Sequence, residues 1–175
     1  MYAAIRFGAD TLDQVKKTVA SRKERQQAGL FVENYLLNNI SSMQGYQILN
    51  SVKLLQAFKG QRTAQVIGAL LVNEEQAIAD LGWQLATAYP GQKTLQVLDN
   101  YLTRVLVKGQ KIEYPVAMAE ALVANDATEL YSFAKLGLFA ANEPAFFSAM
   151  QYLNPQQCQK DALEYLSRAP LEELR

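Results

Sequence analysis

The chain has 175 residues, half of them apolar, and its 17 basic residues balance 17 acidic residues. This composition excludes a disordered chain, and the length is sufficient for a substantial core. The chain contains no histidine and one cysteine, Cys158, which excludes an internal disulfide, the histidine-dependent catalytic triads and most zinc sites. We therefore expect no catalytic, cofactor-binding or metal-binding residues.

Sequence features of the N-terminus, of the apolar runs and of the cysteine predict a cellular compartment. The N-terminal residues lack the charged segment and long apolar run of a signal peptide. No apolar run approaches the roughly 20 residues that span a bilayer. Cys158 lies on an apolar helical face, so we expect a buried core thiol, as suits a reducing compartment. These features predict a soluble, cytoplasmic protein without a membrane partner.

The first 40 residues indicate a helical segment with a polar middle. Apolar residues recur at helical spacing from Leu12 to Val19, after Asp10, a residue type that favours the helix N-cap. Residues 20–28 have no apolar face, which is typical of a helix that crosses solvent. Strongly apolar residues then return. The pattern favours an N-terminal helical arm over residues 1–40.

Six further sets of apolar residues at steps of three or four predict helices in the body of the chain, residues 45–170. The sets begin at Ile48, Ile78, Leu95, Leu130, Phe146 and Cys158. Helix starts are indicated by Pro115, Pro144 and Asn154-Pro155, because proline suits the first helical turn and asparagine can cap it. We predict an all-α protein of roughly eight to ten helices in a single domain, residues 1–175. Its architecture is a compact multi-helix bundle or a short stack of antiparallel helical hairpins.

No sequence motif indicates catalysis. The sequence PGQKT ends like a phosphate-binding loop, but Gln92 separates Gly91 from Lys93, and a helical pattern rather than a strand precedes them. The adjacent acids Glu74 and Glu75 point about 100° apart on a helix and do not converge on one metal or substrate. We expect that the chain is not an enzyme.

Charge is distributed unevenly along the chain. Residues 1–112 carry 13 basic and 8 acidic side chains, a balance of +5, and residues 113–175 carry 4 and 9, a balance of −5. Chains with such separated charge can self-associate head to tail or bind two kinds of partner. The alternative is an uneven scatter of surface charge that has no functional meaning.

The densest positive stretch is KKTVASRKER, which holds five cations and one acid, Glu24. We name these five cations the basic segment: Lys16, Lys17, Arg22, Lys23 and Arg25. We expect them to be exposed on one helix that is continuous through Arg25, and to bind an acidic protein surface. A solvated helix face is the simplest alternative. Nucleic acid is another, although no aromatic residue lies within the segment and the sequence pI is about 6.3.

Aromatic residues cluster in the acidic half of the chain. Phe146 and Phe147 are adjacent there, and adjacent helical residues do not both face one core from a narrow apolar stripe. One of the two rings is therefore left to meet a neighbouring helix pair or a partner, and we include both among the candidate partner-binding residues. The alternative is that both rings belong to an ordinary core, in a helix that is buried on two of its sides.

Together these features predict a non-enzymatic protein–protein interaction protein: an adaptor, a chaperone-like factor or an assembly subunit. We expect it to bind a protein partner, a second copy of itself, or both, through helical faces, the basic N-terminal helix and the acidic, aromatic-rich C-terminal half. The alternative is a helical nucleic-acid-associated regulator that uses the basic segment. We expect no cofactor.

Overall fold

The computed structural model describes residues 1–19, 21–58, 60–107, 115–141 and 144–168. All regular secondary structure in these ranges is helical, which confirms the predicted all-α class. None of the described helices combines the length and the apolar character that a membrane crossing requires. Internal contacts divide the chain into two compact units, Met1–Tyr89 and Pro90–Arg175. The single domain expected over residues 1–175 stays a prediction, and each unit is described by itself.

The described part of the first unit contains six α-helices. They are α1 (Tyr2–Phe7), α2 (Ala9–Thr18), α3 (Arg22–Asn39), α4 (Gly45–Ala57), α5 (Thr63–Leu71) and α6 (Gln76–Ala88). Gly8 separates α1 from α2 at a φ of 91°, a conformation that glycine adopts without steric penalty. The N-terminal segment is thus divided among three helices. For this reason the described ranges hold eleven α-helices, slightly more than the number expected from the apolar pattern.

The chain leaves the helical conformation between α2 and α3, so the predicted continuity through residue 25 is wrong. Val19 has a φ of −88° and a ψ of 82°, outside the helical region. The Ser21 hydroxyl accepts a hydrogen bond from the Glu24 N–H at 3.2 Å, and Glu24 Oε2 accepts one from the Ser21 N–H at 2.9 Å. This reciprocal capping box stabilises a new helix start inside the basic segment.

The segment predicted as an arm contains an exposed part and a packed part. Residues 21–27 are all exposed, as expected of a segment that lies in solvent. From Ala28 onward one side of α3 is buried, with Val32 and Leu36 in the core, and α3 packs on α4 and α5. The helix α1 also packs on α4. Only the middle of residues 1–40 therefore has the exposure that an arm requires.

Apolar residues of α4, α5 and α6 form much of the core of the first unit. In α4, the predicted residues Ile48, Val52 and Leu55 are buried. The helices α5 and α6 pack on each other, and Gly82 of α6 allows a close approach, because a Cβ atom there would lie 3.0 Å from the Leu71 backbone nitrogen. The helical spacing of apolar residues therefore predicted this part of the core, except that Leu49 of the predicted α4 set is 36% exposed.

A buried carboxylate, that of Glu33, joins α3 to the start of α5. Glu33 is completely buried, and its oxygens accept hydrogen bonds from the backbone N–H groups of Gln61 and Arg62 at 3.0–3.1 Å and from the Thr63 hydroxyl at 2.7 Å. Thr63 is the first residue of α5, where the helix dipole favours a negative charge. Gly60 is required beside this group, because a Cβ atom there would lie 1.9 Å from Glu33 Oε1.

The described part of the second unit contains five α-helices. They are α7 (Gln92–Val107), α8 (Pro115–Ala124), α9 (Tyr131–Ala141), α10 (Pro144–Leu153) and α11 (Pro155–Arg168). The three helix starts predicted from proline are confirmed. Asn154 caps α11 as predicted, since its Oδ1 atom accepts a hydrogen bond from the Gln157 N–H at 3.1 Å.

The helix α10 packs against α8, α9 and α11, and therefore lies at the centre of the second unit. Phe146 of α10 is fully buried against Gly137 of α9, where a Cβ atom would lie 2.5 Å from the Phe146 ring. The neighbouring ring of Phe147 is 40% exposed. The two adjacent phenylalanines thus have different environments, one in the core and one at the surface.

Replacing Gly60 by alanine tests the role of the Glu33 carboxylate. We expect Gly60→Ala to lower the free energy of unfolding by about 2 kcal/mol or more, because the displaced, buried carboxylate loses hydrogen bonds from the N–H groups of residues 61 and 62. Urea denaturation measures the loss. The matched control is Gly45→Ala in α4, where a Cβ atom meets nothing within 4 Å. Alanine there should leave stability unchanged or raise it by up to about 1 kcal/mol. Equal stabilities of the two variants would contradict the prediction.

Candidate functional site

The basic segment lies at the end of α2 and the start of α3, and all five of its side chains are exposed. Lys16 Nζ lies 3.9 Å from Asp13 Oδ1, and Arg25 Nε donates a hydrogen bond of 3.4 Å to the Val19 carbonyl. Lys17, Arg22 and Lys23 form no ion pair or hydrogen bond with any described residue. Three charged heads are therefore directed to solvent.

The position of Arg22, Lys23 and Arg25 is electrostatically unfavourable. These residues occupy the first turn of α3 and the position after it, where the helix dipole carries partial positive charge and favours acids. Glu24 is the one acid in that turn. By contrast, Lys16 and Lys17 occupy the last turn of α2, where cations are favoured. Helix stability therefore does not explain the three cations that begin α3.

The basic segment continues into an exposed apolar patch along α3. We name the α3 outer face by the residues Lys23, Gln27, Leu30 and Phe31, which are exposed and recur at steps of four, three and one, so that they share one side of the helix. Phe31 is 43% exposed, and its ring stacks on that of Tyr35 with centroids 6.2 Å apart. Sequence reasoning did not identify Leu30 and Phe31 as surface residues. The sequence does contain a signal for this exposure. Residues 30–32 are consecutive and apolar, so they point in three directions around the helix and cannot all face one core.

The two predicted partner-binding residues of the second unit, Phe146 and Phe147, differ in solvent exposure. Phe146 belongs to the core, and its ring is not on the surface, which corrects its assignment as a contact residue. Phe147 lines an open groove of about 430 Å³ between α10 and α11. We name this the α10–α11 groove. Its lining residues are Phe147, Gln151, Pro155, Cys158, Gln159, Ala162 and Leu163. Leu163 is 67% exposed at its edge.

A polar cluster joins α9 to α11 in the second unit. The buried carboxylate of Asp161 accepts hydrogen bonds from Lys135 Nζ at 2.8 Å, the Tyr131 hydroxyl at 2.9 Å and Gln157 Nε2 at 3.2 Å. Lys135 Nζ also donates to Glu164 Oε2 at 3.0 Å. The Asp161 carboxylate is therefore surrounded by donors and fixes the two helices to each other.

The same contacts shift the ionisation of the cluster. Burial by itself would raise the pKa of the Asp161 carboxyl, but hydrogen bonds from Lys135, Tyr131 and Gln157 outweigh it and hold that pKa below its ordinary value. Hydrogen bonds to Asp161 and Glu164 raise the pKa of Lys135. Burial, followed by the hydrogen bond to Asp161, raises the pKa of Tyr131. At neutral pH Asp161 is therefore a carboxylate paired with the Lys135 ammonium, while Tyr131 stays protonated and donates its hydrogen bond.

Cys158 forms part of the floor of the α10–α11 groove, but it has the environment of a core thiol. It is buried, as predicted, and burial together with the nearby Asp161 charge raises the pKa of its thiol. A raised pKa lowers the fraction of thiolate, which is the reactive form. In the described residues, no three histidine, cysteine, aspartate or glutamate side chains are grouped so that they could hold a metal ion.

Comparison with known proteins assigns no family. No protein-family model matches the chain, and no curated protein or solved structure matches it either. The function of the chain is therefore inferred from the two surfaces described above, the basic segment with the α3 outer face and the α10–α11 groove.

Replacing Asp161 by asparagine should change the dependence of stability on pH. Because the Asp161 pKa is lower in the folded chain than in the unfolded chain, where it is about 3.9, its contribution is complete above that value and is lost as the pH falls through the folded pKa. We expect Asp161→Asn to cost about 2 kcal/mol at pH 7 and less below pH 4. Urea denaturation at several pH values measures both. Asp99→Asn, at an exposed position of α7, is the control and should have no such effect.

Replacing Cys158 by alanine tests its assignment to the core. We expect a loss of about 1 kcal/mol of stability, because a buried sulfur atom is removed. The native thiol should react slowly with a thiol reagent and rapidly after unfolding in urea, which serves as the control. Rapid labelling of the folded chain would show instead that the thiol is accessible and reactive.

Proposed function

We propose that the chain is a non-enzymatic protein–protein interaction protein, an adaptor, chaperone-like factor or assembly subunit, whose basic segment binds an acidic protein surface. The observation that carries this proposal is the group of exposed cations at the start of α3. Arg22, Lys23 and Arg25 lie where the helix dipole disfavours them, and neither Arg22 nor Lys23 pairs with a described residue. An acidic partner supplies the missing countercharge.

The distribution of charge supports a protein partner over a polyanion. The whole chain is formally neutral, with a sequence pI near 6.3, whereas nucleic-acid-binding domains present a larger basic surface. Opposite charges of modest size steer two proteins together and increase the association rate. The −5 balance of residues 113–175 makes a second copy one such acidic surface, and a different acidic protein is another.

The polar groups of the structure support a role without catalysis. The carboxylates of Glu33 and Asp161 are occupied by hydrogen bonds that join helices. The thiol of Cys158 is buried and its pKa is raised. A cytoplasmic location belongs to the same proposal, because a single thiol suits a reducing compartment.

A nucleic-acid-associated regulator is the second candidate. Phe31 favours it, because this partly exposed ring lies on the same side of α3 as Lys23, and single-stranded nucleic acids bind to surfaces that combine cations with stacking aromatics. Only one such ring follows the cations on this face, which is why the protein partner is preferred.

Charge reversal of the basic segment tests the proposed function. The test variant combines Lys16→Glu, Arg22→Glu and Lys23→Glu. We expect it to remain folded, because exposed charges contribute little to stability. Immobilised wild-type chain should retain a protein from nuclease-treated lysate of the source cells, and the triple variant should not. With the purified partner, the variant should bind with a slower association rate and a weaker dependence on salt.

The matched control reverses Lys53, Lys93 and Arg104, which are exposed in the same half of the chain and undergo the same change of charge. This control should retain the partner. If the triple variant unfolds, its charges are structural. If it keeps every protein partner but loses affinity for a single-stranded RNA of about 20 nucleotides, the nucleic-acid alternative replaces the proposal.

A further inference from the structure

We draw no further inference here: the strongest candidate, the exposed apolar patch that Leu30 and Phe31 form on the α3 outer face, carries none because nothing in the structure shows what covers it.

Discussion

The first unit depends on satisfying one buried charge, the carboxylate of Glu33. An ionised carboxylate is retained without water only if donors surround it, and the chain supplies them from the backbone and hydroxyl groups of residues 61–63. This requirement fixes the path of the loop before α5 and excludes a side chain at Gly60. It also fixes the rotation of α3. Phe31 lies two residues before Glu33, about 200° around the helix, so an inward Glu33 directs Phe31 outward.

The second unit satisfies its buried carboxylate by different means. Side chains from two helices surround Asp161, whereas mainly backbone groups surround Glu33. The Asp161 cluster holds α9 against α11, while Phe146 fills the space between α9 and α10. Both helices that line the α10–α11 groove are therefore held in place by contacts with α9.

The periodicity of apolar residues predicted most of the helices, although no apolar set was identified for α5, and it did not predict the surfaces. Leu95, Leu98, Leu102 and Val105 are all buried in α7, as their spacing predicts. The break before Ser21 is also encoded locally, because Ser21 and Glu24 have the spacing of a capping box. The burial of Phe146 rather than Phe147 agrees with the local spacing, because Phe146 begins an apolar set that continues at Met150 and Leu153, all of them buried. What the local sequence does not show is the room that the ring needs, which Gly137 of α9 provides.

The contact between Gly137 and Phe146 has a consequence for how this sequence can diverge. The ring occupies the volume that any side chain at position 137 would need, so a larger residue there is compatible with the fold only if position 146 becomes smaller. The two positions are nine residues apart, on neighbouring helices. We expect substitutions at them to be coupled, so that a larger side chain at one accompanies a smaller side chain at the other. Paired replacement of this kind, small for large and large for small, is a signature by which distant relatives can be recognised after most of their sequence identity has been lost.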